Sequence, residues 1–239
     1  MININPEDDR IMRPADLPKI RALPLFADVK QENFETLVRG AYVQNFPPQV
    51  ELISEGDSCD FLHVVIEGSV ELFASWNGRE TVMATIHPVS MFILAATIKD
   101  APYLMSGRTL EKSRVILLPS QDVRSVFGKD NQFARAVVTE LAECYRSVVR
   151  NSKDLRLRTS VERLANYVLR NGKNGPFDLS MEKRRLASYL NMTPENLSRA
   201  IKILQSNGVQ IDASRVQIVD AVALTNFAKP TVLIDGPMD

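Results

Sequence analysis

What this chain has little of narrows its chemistry before any motif is sought. Its 239 residues hold two cysteines, two histidines and one tryptophan. Cys59 and Cys144 lie far apart and make neither a disulfide framework nor a metal spacing, as suits a reducing compartment. Two separated histidines, His63 and His87, do not supply the clustered ligands that an enzyme on a cupin-like barrel needs, so no enzymatic activity is expected. No apolar run reaches the roughly 18 residues of a membrane span, and the acidic, proline-bearing start "MININPEDDRIMRPADLP" lacks the pattern of a signal peptide. The expectation is a cytoplasmic protein with no membrane partner.

Net charge is also missing, since 29 Lys+Arg balance 29 Asp+Glu. That zero conceals a polarity. Residues 150–210 carry 12 Lys+Arg against 5 Asp+Glu, whereas residues 1–149 carry 15 against 20. A basic segment joined to an acidic one is compatible with nucleic acid as a partner, although a basic run is equally what a solvated face looks like.

Between about Val43 and Leu118 the pattern is one of short strands. Apolar and polar residues partly alternate through "FLHVVIEGSVELFASWNGRETVMATI", β-branched residues are dense, and Asn77-Gly78 marks a hairpin. "MFILAATI" reads as a strand end and a short helix, and "SGRTLEKSRVILLP" as a strand pair closed by Pro119. Such a run of short strands predicts a barrel, roll or sandwich. After Pro119 the period becomes helical. Ala134, Val137, Leu141, Cys144, Val148, Asn151 and Leu155 follow one another at spacings 3, 4, 3, 4, 3, 4, with no Gly or Pro between. That seam suits either one helix lying on its own barrel or, since the stripe is narrow, a partner helix whose register an asparagine would fix.

From Arg156 onward the chain is predicted to be a set of short helices. "TSVERLANYVLRNG" has Thr159 or Ser160 as its cap and Gly172 past its end. "SMEKRRLASYL" and "TPENLSRAIKIL" follow, separated by about three residues, which is a helix-turn-helix. Ala187 suits a close helix crossing, and Asn191 stands where the sharp turn needs a left-handed backbone. Thr193 caps the second helix and Pro194 takes its first position. Leu197, Ile201 and Leu204 form its buried side, and Glu195, Ser198 and Arg199 gather on the exposed first turns. "VQIDASRVQIVD" reads as a two-stranded wing. The final residues, "NFAKPTVLIDGPMD" among them, have no reading from sequence.

In this order the parts resemble the superfamily of the cyclic-AMP receptor protein and the fumarate-nitrate reduction regulator. The resemblance runs from about Leu23 to Asp220 and is carried by "EGDSCDFLHVVIEGSVELF" and "LASYLNMTPENLSRAIKILQSNGV" with the heptad helix between. It implies an α+β fold: an arm over residues 1–22, a β-roll sensor domain of the cyclic-nucleotide-binding-like type over 23–120, a dimerisation helix and hinge over 121–158, and a C-terminal winged helix-turn-helix over 159–239. It implies a homodimer that binds double-stranded, palindromic operator DNA and contacts RNA polymerase. Arg199 would bond a guanine and Glu195 the neighbouring cytosine or adenine edges, with Ser198 as the third reading residue. Glu195, Ser198 and Arg199 are similar to the subgroup that reads TTGAT-type half-sites. Lys183, Arg184, Arg185, Thr193 and Lys202 would meet phosphates. Taken singly, Glu195 also serves the helix dipole, and Arg199 is an ordinary surface helix former.

The resemblance is also informative where it fails. Cyclic-nucleotide binders of this superfamily carry Gly-Glu and then Arg-Ser for the phosphate, and the matching positions here are Ile93-Leu94 and Tyr103-Leu104. A buried cyclic phosphate would meet no guanidinium, so cyclic AMP is not the expected effector, although an atypical phosphate-binding cassette is the alternative. Two cysteines do not hold an iron–sulfur cluster. The stretch "VSMFILAATIKDAPYL" is similar to nitric-oxide-responsive members and to members sensing small aromatic acids. His87, Met91, Phe92, Ile93, Leu94, Tyr103, Leu104 and Met105 would then line a pocket for haem, with His63 or His87 on the iron, or for a hydrophobic effector. The same residues suit plain roll core with two inert histidines.

Overall fold

A computed structural model describes residues 16–179, 183–212 and 214–236. Most of the arm, residues 1–15, and the start of "SMEKRRLASYL", residues 180–182, lie outside the described residues. The chain divides into two compact units whose border, between Glu143 and Cys144, falls inside a single long helix.

The first unit begins with α1 (Asp16–Arg21) and α2 (Gln31–Arg39). It continues through β1 (Tyr42–Phe46), β2 (Glu51–Ile53), β3 (Phe61–Glu67), β4 (Val70–Trp76), β5 (Arg79–Ile86) and β6 (Ser90–Phe92). The helix α3 (Leu94–Lys99), β7 (Ser106–Thr109), β8 (Ser113–Pro119) and α4 (Ser120–Phe127) follow, and then α5 (Asn131–Leu157). The strands form two four-stranded sheets, ordered β1-β8-β3-β6 and β2-β7-β4-β5, with antiparallel pairing throughout. Asn77 and Gly78 both take positive φ, 51° and 73°, which is the two-residue turn that matches strand twist. Gly68, at φ 80°, is required for space as well: a Cβ there would stand 2.5 Å from the Lys112 carbonyl oxygen.

Alternation along β3 divides its residues between two cores. Leu62, Val64 and Ile66 face the helices, where Ile20, Phe34, Leu37, Val123, Val126, Phe133 and Val137 pack on the outer side of the first sheet. Val65 faces the roll interior with Ile53, Val70, Leu72, Phe92 and Tyr103. Within the expected arm, residues 16–22 pack on the roll unit: Ile20 is fully buried, and Asp16 accepts from the Arg114 guanidinium at 2.6 Å. One expectation changes here. Val137 is fully buried in the roll's own core, so it is not available to a partner helix. Val137 lies within about 20° of Val148 and Leu155 around the axis of α5, so what sets it apart is its place along the helix, in the stretch up to Leu141 that packs into the roll's core. The large apolar residues left exposed on α5 are Val138, Tyr145, Val148, Val149, Leu155 and Leu157, with Leu141 half-buried, Ala134 partly covered, and Cys144 and Asn151 exposed.

Asp130 holds the start of α5. Its carboxylate accepts from the amides of Gln132 and Phe133, from the Lys30 amide and from the Asn33 side chain, so one residue caps α5 and ties it to α2. Burial pushes this carboxyl up, but the four hydrogen bonds outweigh it and hold it at about 2.

The second unit holds the rest of α5 and then α6 (Ser160–Asn171), β9 (Phe177–Asp178), α7 (Lys183–Tyr189) and α8 (Pro194–Gln205). The strands β10 (Val209–Asp212) and β11 (Arg215–Ile218) and the helices α9 (Ala221–Ala228) and α10 (Val232–Asp235) complete it. Thr159 closes a capping box with Glu162, whose carboxylate accepts from the Thr159 amide at 2.8 Å. The core joins Leu164 and Val168 of α6 to Leu186, Ala187, Leu197, Ala200 and Leu204, with Leu224 of α9. The wing has three strands, β10-β11-β9, where two were expected: "NGKNGPFD", read as loop, contributes Phe177 and Asp178 opposite Val216 and Arg215.

Candidate DNA-reading surface and sensor pocket

The helices α7 and α8 are joined through Leu190, Asn191, Met192 and Thr193. Asn191 has φ 49°, the left-handed turn expected of it, and Ala187 is fully buried at the crossing. The fixing of this turn was not legible in the sequence. Arg163, on α6 and 8 % exposed, donates from Nε to the Leu190 carbonyl at 2.9 Å, from Nη2 to that of Asn191 at 3.0 Å and from Nη1 to that of Arg158 at 2.8 Å. One guanidinium thus satisfies two carbonyls of the turn and one at the foot of α6. "VERLANYV" offered an arginine on an otherwise apolar helix face as the only sign of it.

The first turns of α8 are exposed. The Thr193 hydroxyl accepts from the Asn196 amide at 3.2 Å and hydrogen-bonds the Glu195 carboxylate, which with the facing Arg199 charge holds that carboxyl below its ordinary value. Ser198 donates to the Pro194 carbonyl at 2.9 Å, which leaves its oxygen free to accept. Arg199 is exposed one helical turn from Glu195. Glu195, Ser198 and Arg199 are therefore brought together on one exposed surface, while Leu197, Ala200 and Leu204 are buried beneath and Ile201 is half-buried. Lys183, Arg184 and Lys202 are exposed as well, and Arg185 is half-buried. Thr193 is committed first of all to capping.

The segment at the chain's end anchors on the foot of α5. The Asp235 carboxylate accepts from both terminal nitrogens of Arg158, at 2.8 and 2.7 Å, and from Arg170 at 3.0 Å. Lys153 donates to the Leu233 carbonyl at 3.1 Å.

In the roll, the expected pocket residues do not converge. Phe92, Tyr103, Ile93 and Met105 belong to the interior between the sheets, whereas Leu94 and Met91 pack on the helix side. Leu104 is 82 % exposed and His87 is exposed. Ile93 takes φ 71° at the head of α3, a left-handed backbone that costs a β-branched residue about 1–3 kcal/mol, at the position where glycine is expected from the resemblance. His63 is buried and its ring is stacked on Phe92, centroids 5.0 Å apart. Burial pushes this imidazole down to about 4, against a hydrogen bond with the Phe61 backbone, so the ring is neutral at physiological pH. Cys59, buried ahead of β3, lies 3.4 Å from the Thr97 hydroxyl and 3.7 Å from that of Ser120. Burial and the adjacent Cys59 push the Tyr103 hydroxyl above its ordinary range. A cavity of about 510 Å³ opens here, with His63 and Tyr103 in its wall. His63 and His87 do not share a site, and among the described residues no cluster of three or more His, Cys, Asp or Glu can hold a metal ion. Among the described residues no helix is long and apolar enough to cross a membrane.

Two family models match in sequence order: a cyclic nucleotide-binding domain over residues 43–130 and a Crp-like helix-turn-helix domain over 162–227. The CRP-like cAMP-activated global transcriptional regulator of Mycobacterium tuberculosis is 21% identical over 217 residues, covering 86% of this chain and 96% of that protein. A transcriptional regulator of the Crp/Fnr family from Eubacterium rectale shares the fold with a TM-score of 0.70 at 14% identity, over 87% of this chain and 98% of that one. FixK2 from Bradyrhizobium japonicum does so with a TM-score of 0.67 at 22% identity, over 78% and 96%. A roll of two antiparallel sheets, a long helix and a winged helix-turn-helix, in this order and with both domain models matched, make this chain a DNA-binding transcriptional regulator of the CRP/FNR superfamily.

Proposed function

We propose that the protein acts as a homodimer that reads a TTGAT-N4-ATCAA-like inverted repeat through Glu195, Ser198 and Arg199, under control of a signal in the roll other than cyclic AMP. The single observation that carries the DNA reading is the exposed constellation on the first two turns of α8, set on a helix whose entry angle Arg163 and Thr193 fix. A guanidinium there can bond guanine O6 and N7 together, a carboxylate can accept from cytosine N4, and the Ser198 oxygen can accept a donor from a base edge. Lys183, Arg184, Arg185 and Lys202 lie on the same two helices and supply the phosphate contacts. The dimer rests on the stripe of Val138, Leu141, Tyr145, Val148 and Leu155, apolar and at coiled-coil spacing on α5, with Cys144 and Asn151 at its border. RNA polymerase as a further partner and a cytoplasmic location belong to the same reading.

For the signal, the cyclic-nucleotide grip is absent from the roll: Tyr103 is buried where an arginine would meet phosphate, and Leu104 points to solvent. For haem, His63 and His87 do not share a site, His63 being buried and stacked on Phe92 and His87 exposed, so at most one of them would hold the iron. A small molecule other than cyclic AMP, held in the roll, is the reading that these residues support. Selection of bound sequences from a random DNA pool tests the reading directly. The wild type is expected to enrich a TTGAT-type inverted repeat with half-sites about 34–36 Å apart. Glu195→Ala is expected to relax one base pair of each half-site by roughly tenfold or more. A pool that stays random, or a Glu195→Ala logo identical to the wild type, contradicts it.

A further inference from the structure

The cavity at the edge of the roll has a chemistry of its own. Its mouth is formed by β2 and the loop that precedes β3, and Glu51, Asp57 and Asp60 line it, with Phe61, His63 and Tyr103 toward the interior. Among the described residues no lysine or arginine lines it, so three carboxylates meet no cation there. The walls are tied together. The Tyr103 amide donates to the Asp57 carbonyl and its carbonyl accepts from the Gly56 amide, both at 2.9 Å, and the Ser120 amide donates to the Asp60 carbonyl at 2.8 Å.

At the inner end lies an orphan. His63 is 4 % exposed, and its Nδ1 has no hydrogen-bond partner. The bond that favours the protonated ring is the one to the Phe61 backbone, a bond the imidazole donates. Nδ1 is a buried ring nitrogen without a partner, and an unmet buried polar atom costs about 1–3 kcal/mol. A site with anionic groups at its mouth and a neutral acceptor inside repels phosphates and carboxylates and asks for the reverse pattern.

We propose that this cavity binds a small organic cation that also bears an O–H or N–H donor, its ammonium held among Glu51, Asp57 and Asp60 and its donor reaching Nδ1 of His63. Aromatic side chains at Phe61 and Tyr103 favour an aryl group between the two ends. The proposal deepens the reading of the roll as the regulator's sensing end and rests on it. It names the effector as an amine and not an anion or an apolar ligand.

Isothermal titration of the full-length protein without DNA tests it, so that failure of the operator reading and failure of this site remain separate results. The probes are tyramine, which has both groups, phenethylamine, which lacks the donor, and 4-hydroxyphenylacetate, which replaces the ammonium with a carboxylate. Saturable binding of tyramine is expected, weaker by roughly tenfold for phenethylamine and absent for the acid. The exposed pair Asp57→Asn with Asp60→Asn is expected to weaken tyramine by roughly tenfold or more, and His63→Phe to erase the difference between tyramine and phenethylamine. Tyramine that fails to saturate, or that binds no tighter than 4-hydroxyphenylacetate, overturns the proposal. So does tyramine binding that the paired Asp variant leaves unchanged, and that variant serves if His63→Phe does not fold.

Discussion

The two units of the chain hold their polar groups in opposite ways. On α8 the reading residues are exposed, and their bonds close within one turn: Ser198 to Pro194, Thr193 to Asn196, Glu195 beside Arg199. In the roll the corresponding groups are buried and held from far along the chain, as when Tyr103 joins Gly56 and Asp57, or Thr109 joins Pro47. A surface that must meet a base edge is arranged by its own helix and kept wet. A pocket that must hold a small molecule is assembled by the fold, and its burial sets the protonation of His63 and Tyr103. The contrast has a limit, because the exposed helix still depends on one buried group, Arg163.

That dependence gives the largest expected effect. Arg163→Met leaves the Leu190, Asn191 and Arg158 carbonyls without their donor, at a cost of about 3 kcal/mol. The C-terminal unit's thermal transition is expected to fall and operator binding to be lost with α8's own residues intact. An unchanged transition would place the turn's rigidity in α7 and α8 alone, and the contrast would become complete.

Next in size is Asp130→Ala in the roll unit, expected to destabilise it by about 2 kcal/mol through the lost cap of α5. The pH dependence has a definite sign. The folded carboxyl sits at about 2, below its ordinary 3.8, so its contribution is complete above the upper value and is lost as pH falls from 3.8 through 2. Urea unfolding between pH 5 and 2 is expected to show a steeper loss for the wild type than for Asp130→Asn. Equal slopes would show that the bonds to Asn33 and the helix amides do not depress this group.

A smaller effect, about 1 kcal/mol, is expected for Asp235→Asn, because Arg158 keeps its bond to Asp154 while losing the carboxylate charge. Hydrogen exchange of residues 231–236 should accelerate, with α8 unaffected. Acceleration in α8 would extend the role of the C-terminal segment to the reading helix.

Legibility followed the same division. The cap at Thr193, the proline at the first position of α8, the left-handed Asn191 and the Asn77-Gly78 hairpin could be read because each is decided by residues within a few positions. The seam was half legible. Its helical period is right, but sequence spacing cannot tell how far along α5 the roll's own core claims the stripe, and Val137 lies in the claimed part. Phe177 escaped because a two-residue strand is defined only by its neighbour β11, where its partner Val216 lies 39 positions on. Arg163 and the cavity at Glu51, Asp57, Asp60 and His63 escaped for a related reason: each joins residues that only the tertiary fold brings together. Met91, Phe92 and Leu94 show the reverse error, an apolar run taken as one lining: alternation along β6 parts Met91 from Phe92, and the start of α3 returns Leu94 to the helix side.

The central claim is that Arg199, with Glu195 and Ser198, reads sequence on a phosphate-binding platform. Fluorescence anisotropy of wild type and Arg199→Ala, on a TTGAT-N4-ATCAA duplex and on a scrambled one across a salt series, tests it most directly. The wild type is expected to prefer the palindrome, with affinity falling on a log–log plot by roughly 0.9 per phosphate neutralised. Arg199→Ala is expected to bind both duplexes equally, at the weak, salt-sensitive level of the platform alone. An Arg199→Ala protein that still discriminates the palindrome would contradict the account.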